Sequence, residues 1–463
     1  MPELDLTTLT PELLARYDRP GPRYTSYPTA PQFAADFGED AYRERLVAAA
    51  GRTSEPLSLY AHVPFCEHRC TYCGCNIVIS PHRGPEQPYL DAVERELDLL
   101  AEAMDGRRNL NQLHWGGGTP TYLTPQQCRR LFTAITDRFP LNRGAEVAIE
   151  VDPCVTSLEH LEVLAELGFN RISMGLQDLD PRVQEAVQRV QPLELTRLHV
   201  ERARELGFES VNVDLIYGLP YQNEAQFRRT VRTVIEELNP DRVACFSYAH
   251  VPWIKPHQRQ LDDSTLPRGW EKFRIFVGAV EEFLAAGYSF VGFDHFARPE
   301  DELATAMREG RVHRNFMGYT VMPASDQLGV GMTSIGDVGG AYAANEKNLA
   351  RYQRVVGEGR LPIERGILRS AEDELRGTVI RRIICNLRLD YGWVAESFGV
   401  DPRRHFAQAL SELQPLAADG LVEIGDHGLQ VTDIGRFFLR NICMPFDTYL
   451  RKPSDRPVYS RTV

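Results

Sequence analysis

The sequence lacks the run of about 18 consecutive apolar residues that a membrane-spanning helix needs. Its first residues include Glu3 and Asp5 and do not show the basic segment and apolar stretch of a secretory signal. It also lacks an excess of positive charge, because 64 acidic residues against 52 basic ones give a net charge of −12. Phosphate-backbone binding is therefore an improbable main task. We expect a cytoplasmic protein without a membrane or nucleic-acid partner.

Cysteine is present in an odd number, nine residues, and four of them fall within ten positions. These four are Cys66, Cys70, Cys73 and Cys75. Disulfide frameworks are typical of short secreted chains, and this chain of 463 residues is not of that kind. Clustered cysteines in an intracellular protein indicate a metal site instead.

Apolar segments alternate with helical patterns between residues 57 and 249. The segments predicted as strands are 57–64, 112–117, 146–153, 171–177, 210–218 and 242–249. This alternation predicts a parallel sheet covered by helices, of class α/β. Six units are fewer than a closed TIM barrel contains, so we expect a partial (β/α)6 barrel. A further strand at 288–293 is expected at its edge.

The chain divides into three predicted parts. Residues 1–55, rich in proline and tyrosine, are expected to form an N-terminal arm, and residues 56–340 the barrel domain with its edge extension. Residues 341–463 are predicted to be a smaller, mostly helical domain with helices at 371–390 and 402–418. A hairpin at 421–432 makes this domain winged-helix-like. Such units often bind nucleic acid, but the acidic chain favours a structural or lid role.

The cysteine loop follows the first predicted strand, where the chemistry of parallel barrels is located. The spacing of Cys66, Cys70 and Cys73 lets one short loop hold three irons of a [4Fe-4S] cluster. The fourth iron then stays open to the amino and carboxylate groups of S-adenosylmethionine (SAM), whose cleavage yields a 5′-deoxyadenosyl radical. The alternatives are a structural zinc site and buried reduced cysteines. For zinc only His82 is near, without a second ligand pair, and three unpaired buried cysteines would be unusual on a polar loop. Cys75 is either a fourth ligand or, as we expect, a thiol that leaves the fourth iron free.

Polar residues and glycines follow the later strands. The segment HWGGGTP (114–120) contains three glycines, which permit close approach of the backbone to a ligand. Glu150, Gln177 and Asp214 lie at the ends of strands or interrupt them. Each could be a capped strand end, but together they favour a pocket for a nucleoside, whose hydroxyls are donors.

Several long segments carry a resemblance to one family. They are GPRYTSYPTA (21–30), HVPFCEHRCTYCGCN (62–76), LHWGGGTPTYL (113–123), FNRISMGLQD (169–178), VDLIYGLP (213–220), HRNFMGYT (313–320) and NICMPFDTYL (441–450). The chain resembles the oxygen-independent coproporphyrinogen III oxidases, or coproporphyrinogen dehydrogenases, of the radical SAM superfamily. The resemblance implies conversion of two propionates of coproporphyrinogen III to vinyl groups, giving protoporphyrinogen IX in haem biosynthesis. It also implies an electron donor and an acceptor of unstated identity.

The resemblance further implies which residues bind the cofactors. Cys66, Cys70 and Cys73 would hold the [4Fe-4S] cluster, and two SAM molecules are expected. Residues implied around the first SAM are Tyr60, Tyr72, Gly117, Glu150 and Ile335. Residues implied around the second SAM or the boundary are Gly118, Thr119, Gln177, Arg189, Asp214 and Ala249. The chain departs from the pattern at Met444-Pro445-Phe446, where a cysteine is expected in the middle.

Substrate contacts are open at this point, because Arg19, Arg23, Arg298 and Arg314 are all possible partners of the propionates. We expect a monomer. A haem-binding chaperone related to this family is the alternative function; such relatives typically lack the Cys73-Gly74-Cys75 ending and have a shorter arm. A radical SAM enzyme with another substrate is a second alternative, since a fold does not determine a substrate.

Overall fold

The chain folds around one twelve-stranded sheet. The computed structural model describes residues 6–322, 326–451 and 459–462. The strands of the sheet are β1 (Leu57–Val63), β2 (Leu110–Gly117), β3 (Leu141–Val151), β4 (Arg171–Gln177), β5 (Ser210–Tyr217), β6 (Arg242–Ser247), β7 (Ser289–Gly292), β8 (His295–Ala297), β9 (Asp326–Val330), β10 (Ile335–Val338), β11 (Ala341–Asn345) and β12 (Ile363–Leu368). Neighbouring strands follow the order β12-β11-β10-β9-β1-β2-β3-β4-β5-β6-β8-β7.

The six predicted strands are confirmed as β1 to β6, which pair in chain order and run parallel. The predicted edge strand is β7, although it joins the sheet through β8, which pairs antiparallel with both β6 and β7. Strand β9 was not among the predicted strands; it lies parallel to β1 on its other side. In the described residues β12 and β7 are the two sheet edges, so the barrel is partial and open.

The sheet continues beyond residue 340, where the alternation of strands and helices ends. Strands β10, β11 and β12 extend β9 as antiparallel neighbours. Antiparallel strands need only short turns between them, whereas parallel strands need a crossover. Short turns join β9, β10 and β11, whereas the helix Leu349–Gly357 lies between β11 and β12. The strand direction therefore changes after β9, and the sheet continues past residue 340.

Helices cover the parallel strands. The helices are α1 (Pro11–Tyr17), α2 (Glu39–Ala50), α3 (Glu86–Ala103), α4 (Pro125–Arg138), α5 (Leu158–Glu166), α6 (Pro181–Ala186), α7 (Leu193–Glu205), α8 (Glu224–Thr233), α9 (Gly269–Ala285), α10 (Glu302–Glu309), α11 (Leu349–Gly357), α12 (Ala371–Asn386), α13 (Tyr391–Phe398), α14 (Pro402–His405), α15 (Ala407–Glu412), α16 (Gln414–Ala418) and α17 (Leu439–Cys443). Thr124 caps α4 with a complete capping box formed with Gln127. Among the described residues, no helix combines the length and apolar composition that crossing a bilayer requires.

The C-terminal region is mostly helical, as predicted, and contains a small antiparallel sheet. Its strands are β13 (Arg388–Asp390), β14 (Val422–Ile424) and β15 (Gly428–Val431), of which the last two form the predicted hairpin. The helix expected at 402–418 is divided into α14, α15 and α16. Pro415, in the first turn of α16, has no N–H to continue the hydrogen bonds of a longer helix.

The N-terminal arm is fastened to the end of the chain. Gly21 N donates to Ser460 O at 3.0 Å, and Thr462 N donates to Arg19 O at 2.8 Å. The Arg440 guanidinium donates to the carbonyls of Gly21 and Pro22. The arm therefore packs against the C-terminal region as part of the folded body.

Strands β2 to β6 present polar side chains to the barrel interior and apolar ones to the helices. Side chains that line the interior cavity include Gln112, His114, Glu146, Glu150, Arg171, Ser173, Asn212 and Asp214. The residues between them, such as Leu113, Val147, Val211 and Val213, are buried in the core. Successive side chains of a strand point to opposite faces of the sheet, so the same strands contribute apolar residues to the core and polar residues to the lumen.

Candidate active site

The cysteine loop leaves the C-terminal end of β1 and is closed at its base. Phe65–Cys66 pairs with Val78–Ile79 as a short parallel ladder, with Val78 N donating to Pro64 O at 2.8 Å. Cys66, Cys70 and Cys73 are partly exposed within the loop, and Cys75 is exposed. The sequence between the two closing segments therefore forms a separate loop that presents its thiols at the barrel mouth.

Each of the three cysteines has a polar neighbour. Cys66 Sγ lies 3.6 Å from Thr119 Oγ1, and Cys70 Sγ lies 4.0 Å from Arg189 Nη1. Cys73 Sγ accepts a hydrogen bond from Cys75 N at 3.4 Å. The Cys75 side chain, also hydrogen-bonded to Cys73, lowers the pKa of the Cys73 thiol. Thr119 and Arg189 act in the same direction on Cys66 and Cys70, but burial outweighs them and raises the pKa of both thiols. Of the three, only Cys73 is therefore favoured as the thiolate, the form that binds metals.

The donor set fits an iron–sulfur cluster. In the described residues no three His, Cys, Asp or Glu side chains converge on the geometry of a single ion. Cluster ligands need not converge in this way, because each thiolate binds a different iron. Three thiols on one loop, beside hydrogen-bond donors, match the cysteine ligation of such clusters.

The glycine segment packs directly against the cysteine loop. Gly118 N donates to Val63 O at 2.8 Å, and Thr119 N donates to Phe65 O at 2.9 Å. A Cβ at residue 118 would lie only 2.7 Å from the carbonyl oxygens of Phe65 and Pro64. The close approach of two backbones therefore requires glycine here, in addition to any ligand that the segment meets.

Tyr60 and Glu150 meet through a residue that the sequence analysis did not select. The ring of Tyr60 stacks on His114 with centroids 5.9 Å apart, and His114 Nε2 lies 3.2 Å from Glu150 Oε1. The Tyr60 hydroxyl also lies 3.2 Å from His62 Nδ1. The signal for His114 was its position two residues before Gly116 on the lumen-facing side of β2.

Arg189 is deeply buried and already has partners. Its Nη1 donates to Asp152 Oδ2 at 2.6 Å, and its Nη2 donates to Gly175 O at 2.7 Å. Gln177 adopts a positive φ of 72°, and its Oε1 is buried without a hydrogen-bond partner among the described residues. The two side chains flank Gly175, where a Cβ would lie 2.8 Å from Gln177 Nε2 and 3.1 Å from Arg189 Nη2.

Asp214 faces the lumen of the barrel. It accepts a hydrogen bond from Asn212 Nδ2 at 2.7 Å. Burial, reinforced by the charge of Glu150, raises the pKa of Asp214 to about 6 from an ordinary value of 3.8. The polar residue that interrupts this apolar strand is therefore explained by its position inside the barrel.

The remaining candidate residues lie around the same mouth. Gln258 Nε2 donates to the carbonyl oxygens of Tyr72 and Ala249, at 3.1 and 3.2 Å, and so joins the cysteine loop to the loop after β6. Ile335 begins β10 beside Gln327, whose Nε2 donates to its carbonyl oxygen at 3.3 Å. Ile335 is thus separated from the other candidates by β9 and the following turn.

The segment after Ala249 supports the cysteine loop and was missed by the sequence analysis. His257 Nε2 lies 2.8 Å from Cys73 O, and Lys255 Nζ donates to Cys75 O at 3.1 Å. No sequence motif marks these contacts, because they depend on two loops that are distant in the chain. The Met444–Phe446 turn lies elsewhere, with Met444 packed against the arm at Gly21.

The comparisons with known proteins agree along the whole chain. The radical SAM superfamily model matches residues 60–234, and the HemN C-terminal domain model matches residues 370–438. The chain is 46% identical to the oxygen-independent coproporphyrinogen III oxidase of Escherichia coli (strain K12) over 97% of its length and 98% of that protein. It is 44% identical to the protein of the same name from Synechocystis sp., over 98% and 97% of the two chains.

The solved structures agree as well. The structure of coproporphyrinogen III oxidase (HemN) from Escherichia coli, described as a radical SAM enzyme, superposes with a TM-score of 0.88 at 46% identity. The match covers 92% of this chain and 97% of that one. The chain therefore belongs to the family of oxygen-independent coproporphyrinogen III oxidases within the radical SAM superfamily.

Proposed function

We propose that this chain catalyses the oxygen-independent oxidative decarboxylation of coproporphyrinogen III to protoporphyrinogen IX. The observation that carries the proposal is identity of 46% to a protein of that name across arm, barrel and C-terminal region together. A likeness confined to the barrel would support only radical chemistry, since enzymes that act on many different substrates share that fold.

Cys66, Cys70 and Cys73 are the residues we propose to bind the [4Fe-4S] cluster, with Cys75 left off it. When bound, the cluster and SAM supply the radical that removes a hydrogen atom from a propionate side chain. The protein's part is to hold and orient the cofactors and substrate. The hydrogen bonds at Cys66 and Cys73 and the Arg189 guanidinium near Cys70 would partly offset the burial that raises the pKa of Cys66 and Cys70.

We propose two SAM molecules at the barrel mouth. Tyr60, stacked on His114, and Glu150 are grouped on β1 to β3. Gln177 and Arg189 are grouped around Gly175, and Asp214 lies on the next strand. Gly117 and Ile335 are proposed for the first SAM with Tyr60 and Glu150, as is Tyr72, although Tyr72 packs against the hydrophobic cluster that contains Val187 and Tyr248, on the side of Arg189. Equilibrium dialysis of the anaerobic holoenzyme with radiolabelled SAM tests the stoichiometry.

An electron donor and an acceptor follow from the balance of the reaction. Each SAM cleavage takes up one electron. Each propionate loses one hydrogen atom, one electron and carbon dioxide as its vinyl group forms. Two propionates therefore require two such cycles per substrate molecule.

For the location we propose the cytoplasm. All nine cysteines are free thiols in the structure. Free thiols of this number suit a reducing compartment. A monomer is our proposal for the oligomeric state, and size-exclusion chromatography with light scattering tests it.

The decisive experiment is anaerobic incubation of the reconstituted holoenzyme with coproporphyrinogen III, SAM and a reductant. We expect protoporphyrinogen IX, carbon dioxide, methionine and 5′-deoxyadenosine, with none of them formed by Cys70→Ala. Formation of 5′-deoxyadenosine by the wild-type protein without a vinyl product would overturn the substrate assignment. A stable haem complex without decarboxylation would favour the chaperone alternative.

A further inference from the structure

A cavity of about 260 Å³ opens at the C-terminal ends of β5 and β6. Aromatic side chains form much of its wall, including Tyr217, Phe246 and Phe293. Four arginines line it, Arg23, Arg314, Arg436 and Arg440, against a single carboxylate, Asp294, among the described residues. This excess of cations is unusual in a chain whose net charge is −12.

Two of the arginines have guanidinium nitrogens without a hydrogen-bond partner among the described residues. Arg436 is only 8% exposed, and its Nε and Nη2 have no hydrogen-bond partner in the described part of the chain. Its nearest acid, Asp433, is 3.7 Å away from Nη1. Arg314 Nε likewise lacks a partner there, while its Nη1 donates to Arg23 O at 3.2 Å. Buried donors without partners are costly, so a ligand that accepts from them would gain affinity.

The other charged groups around the cavity do not neutralise these arginines. Asp294 lies 2.6 Å from His295, and the charges of His295, Arg314 and Arg23 lower its pKa despite burial, but one carboxylate offsets only one of the four guanidinium charges. Arg440 donates to backbone carbonyls and contributes a further uncompensated charge. Burial and the charge of Arg23 lower the pKa of Arg440 to about 9 and that of nearby Lys272 to about 7. The cavity is therefore a region of positive potential, suited to anions.

The cavity adjoins the barrel lumen. It shares Phe246, His295, Asn315, Met317 and Gly318 with the lumen cavity, which Glu150 and Asp214 line. On its other side it shares Thr25, Arg314, Asn315 and Phe316 with a further cavity of about 210 Å³. The arginines and the candidate SAM residues Glu150 and Asp214 therefore line neighbouring cavities.

We propose that this cavity binds the propionate carboxylates of the porphyrinogen that do not react in a given cycle, with Arg314 and Arg436 as their partners. The inference rests on the proposed function and names the substrate contacts for it. Guanidinium groups pair with carboxylates in a fork geometry, and the aromatic wall suits the pyrrole rings. Arg314 belongs to the barrel domain and Arg436 to the C-terminal region, so the substrate is held between the two.

The same placement distinguishes the arginines that the sequence left open. Arg23 and Arg314 line the cavity. Arg298 does not: its Nε donates to Pro240 O at 3.2 Å, and its guanidinium lies 5.7 Å from the centroid of the Tyr288 ring. Arg19 is exposed, outside the cavity. Arg298 therefore offers a matched control, an arginine of the same domain without a role in substrate binding.

The first test needs no variant. Coproporphyrin III, the air-stable oxidised form with four carboxylates, and its tetramethyl ester are titrated into the wild-type holoenzyme and followed by porphyrin fluorescence. We expect the free acid to bind at least ten-fold more tightly than the ester, because only the acid pairs with arginine. Equal affinities would overturn the proposal, even if the enzyme turns over coproporphyrinogen III normally.

The second test compares Arg314→Gln and Arg436→Gln with Arg298→Gln. We expect the first two to raise the Kd for coproporphyrin III, and the KM for coproporphyrinogen III, by about ten- to hundred-fold. Arg298→Gln should leave both unchanged, and Arg436→Lys should recover part of the affinity. Unchanged Kd and KM in both cavity variants would refute the assignment.

Thermal melts and iron content identify a variant that has lost its fold. In that case the proposal is tested by comparing the free acid and the ester on the wild-type protein. The two proposals also fail separately. If wild-type enzyme makes no protoporphyrinogen, the proposed function fails. If it does, and neither the ester nor the variants alter binding, only the arginine cavity fails.

Discussion

Arg189 and Asp152 form a buried ion pair at the barrel mouth, with Nη1 2.6 Å from Oδ2. Arg189 also donates to Gly175 O and lies 4.0 Å from Cys70 Sγ. The pair therefore connects the loop after β3, the end of β4 and the cysteine loop. A SAM carboxylate that approaches this guanidinium must share it with Asp152.

Arg189→Gln should destabilise the protein and weaken SAM binding, because it leaves the Asp152 carboxylate buried without its partner. Breaking a buried pair on one side costs about 3–5 kcal/mol. The double variant Arg189→Gln with Asp152→Asn removes both charges and should recover most of the stability, measured by chemical denaturation, but not the SAM affinity. If the double variant regains SAM affinity as well, Arg189 acts only through the fold.

Cys75→Ser should retain the brown iron–sulfur chromophore and the iron content after anaerobic reconstitution. The reason is that Cys75 is expected to lie beside the cluster without binding it, and serine keeps a hydrogen-bonding group next to Cys73. Alanine at Cys66, Cys70 or Cys73 should abolish the chromophore and SAM cleavage. A Cys75→Ser protein that loses iron as completely as Cys70→Ala would make Cys75 a ligand.

Gly118→Ala should disturb the cysteine loop, whereas Gly74→Ala should not. A Cβ at residue 118 meets two backbone carbonyls at 2.7 Å, while nothing lies within 4 Å of a Cβ at residue 74. Overpacking of this kind costs about 1–3 kcal/mol. Thermal melts of both apoproteins and SAM titrations of both holoenzymes measure the difference; similar melts would show that the loop moves aside without strain.

The sequence predicts well those parts of the fold that repeat a local pattern. The alternating segments predict the six parallel strands. Glu150 and Asp214 are recognisable as candidates because a carboxylate in an apolar strand is unfavourable unless it has a partner or a function. The same periodicity of two places both side chains on the lumen face.

Features that depend on distant segments are not predictable in this way. Strand β9 is five residues long and pairs with β1, which lies more than 260 residues earlier in the chain. No local pattern therefore predicts its position in the sheet. Arg436 and Arg314 face one cavity although they lie on different domains, and their sequence neighbourhoods give no sign of it. Lys255 and His257 support the cysteine loop through carbonyl oxygens, which carry no sequence signature.

Asp214→Asn should stabilise the SAM-free protein above neutral pH. The carboxyl has a pKa of about 6 in the folded protein against an ordinary 3.8, so the unfolded chain ionises first as the pH rises. The wild-type protein and the variant should be equally stable below about pH 3.8, where the carboxyl is neutral in both states. The advantage of the variant should grow between pH 3.8 and 6 and then level off, on the order of 1–3 kcal/mol. Denaturation at several pH values measures this. If Asp214 binds the ribose of SAM as proposed, bound SAM should reverse the preference, because an ionised carboxylate accepts from a hydroxyl more strongly than asparagine does. If the variant is less stable than wild type at pH 8 without SAM, ionisation of Asp214 does not lower the free energy of unfolding, and the prediction is wrong.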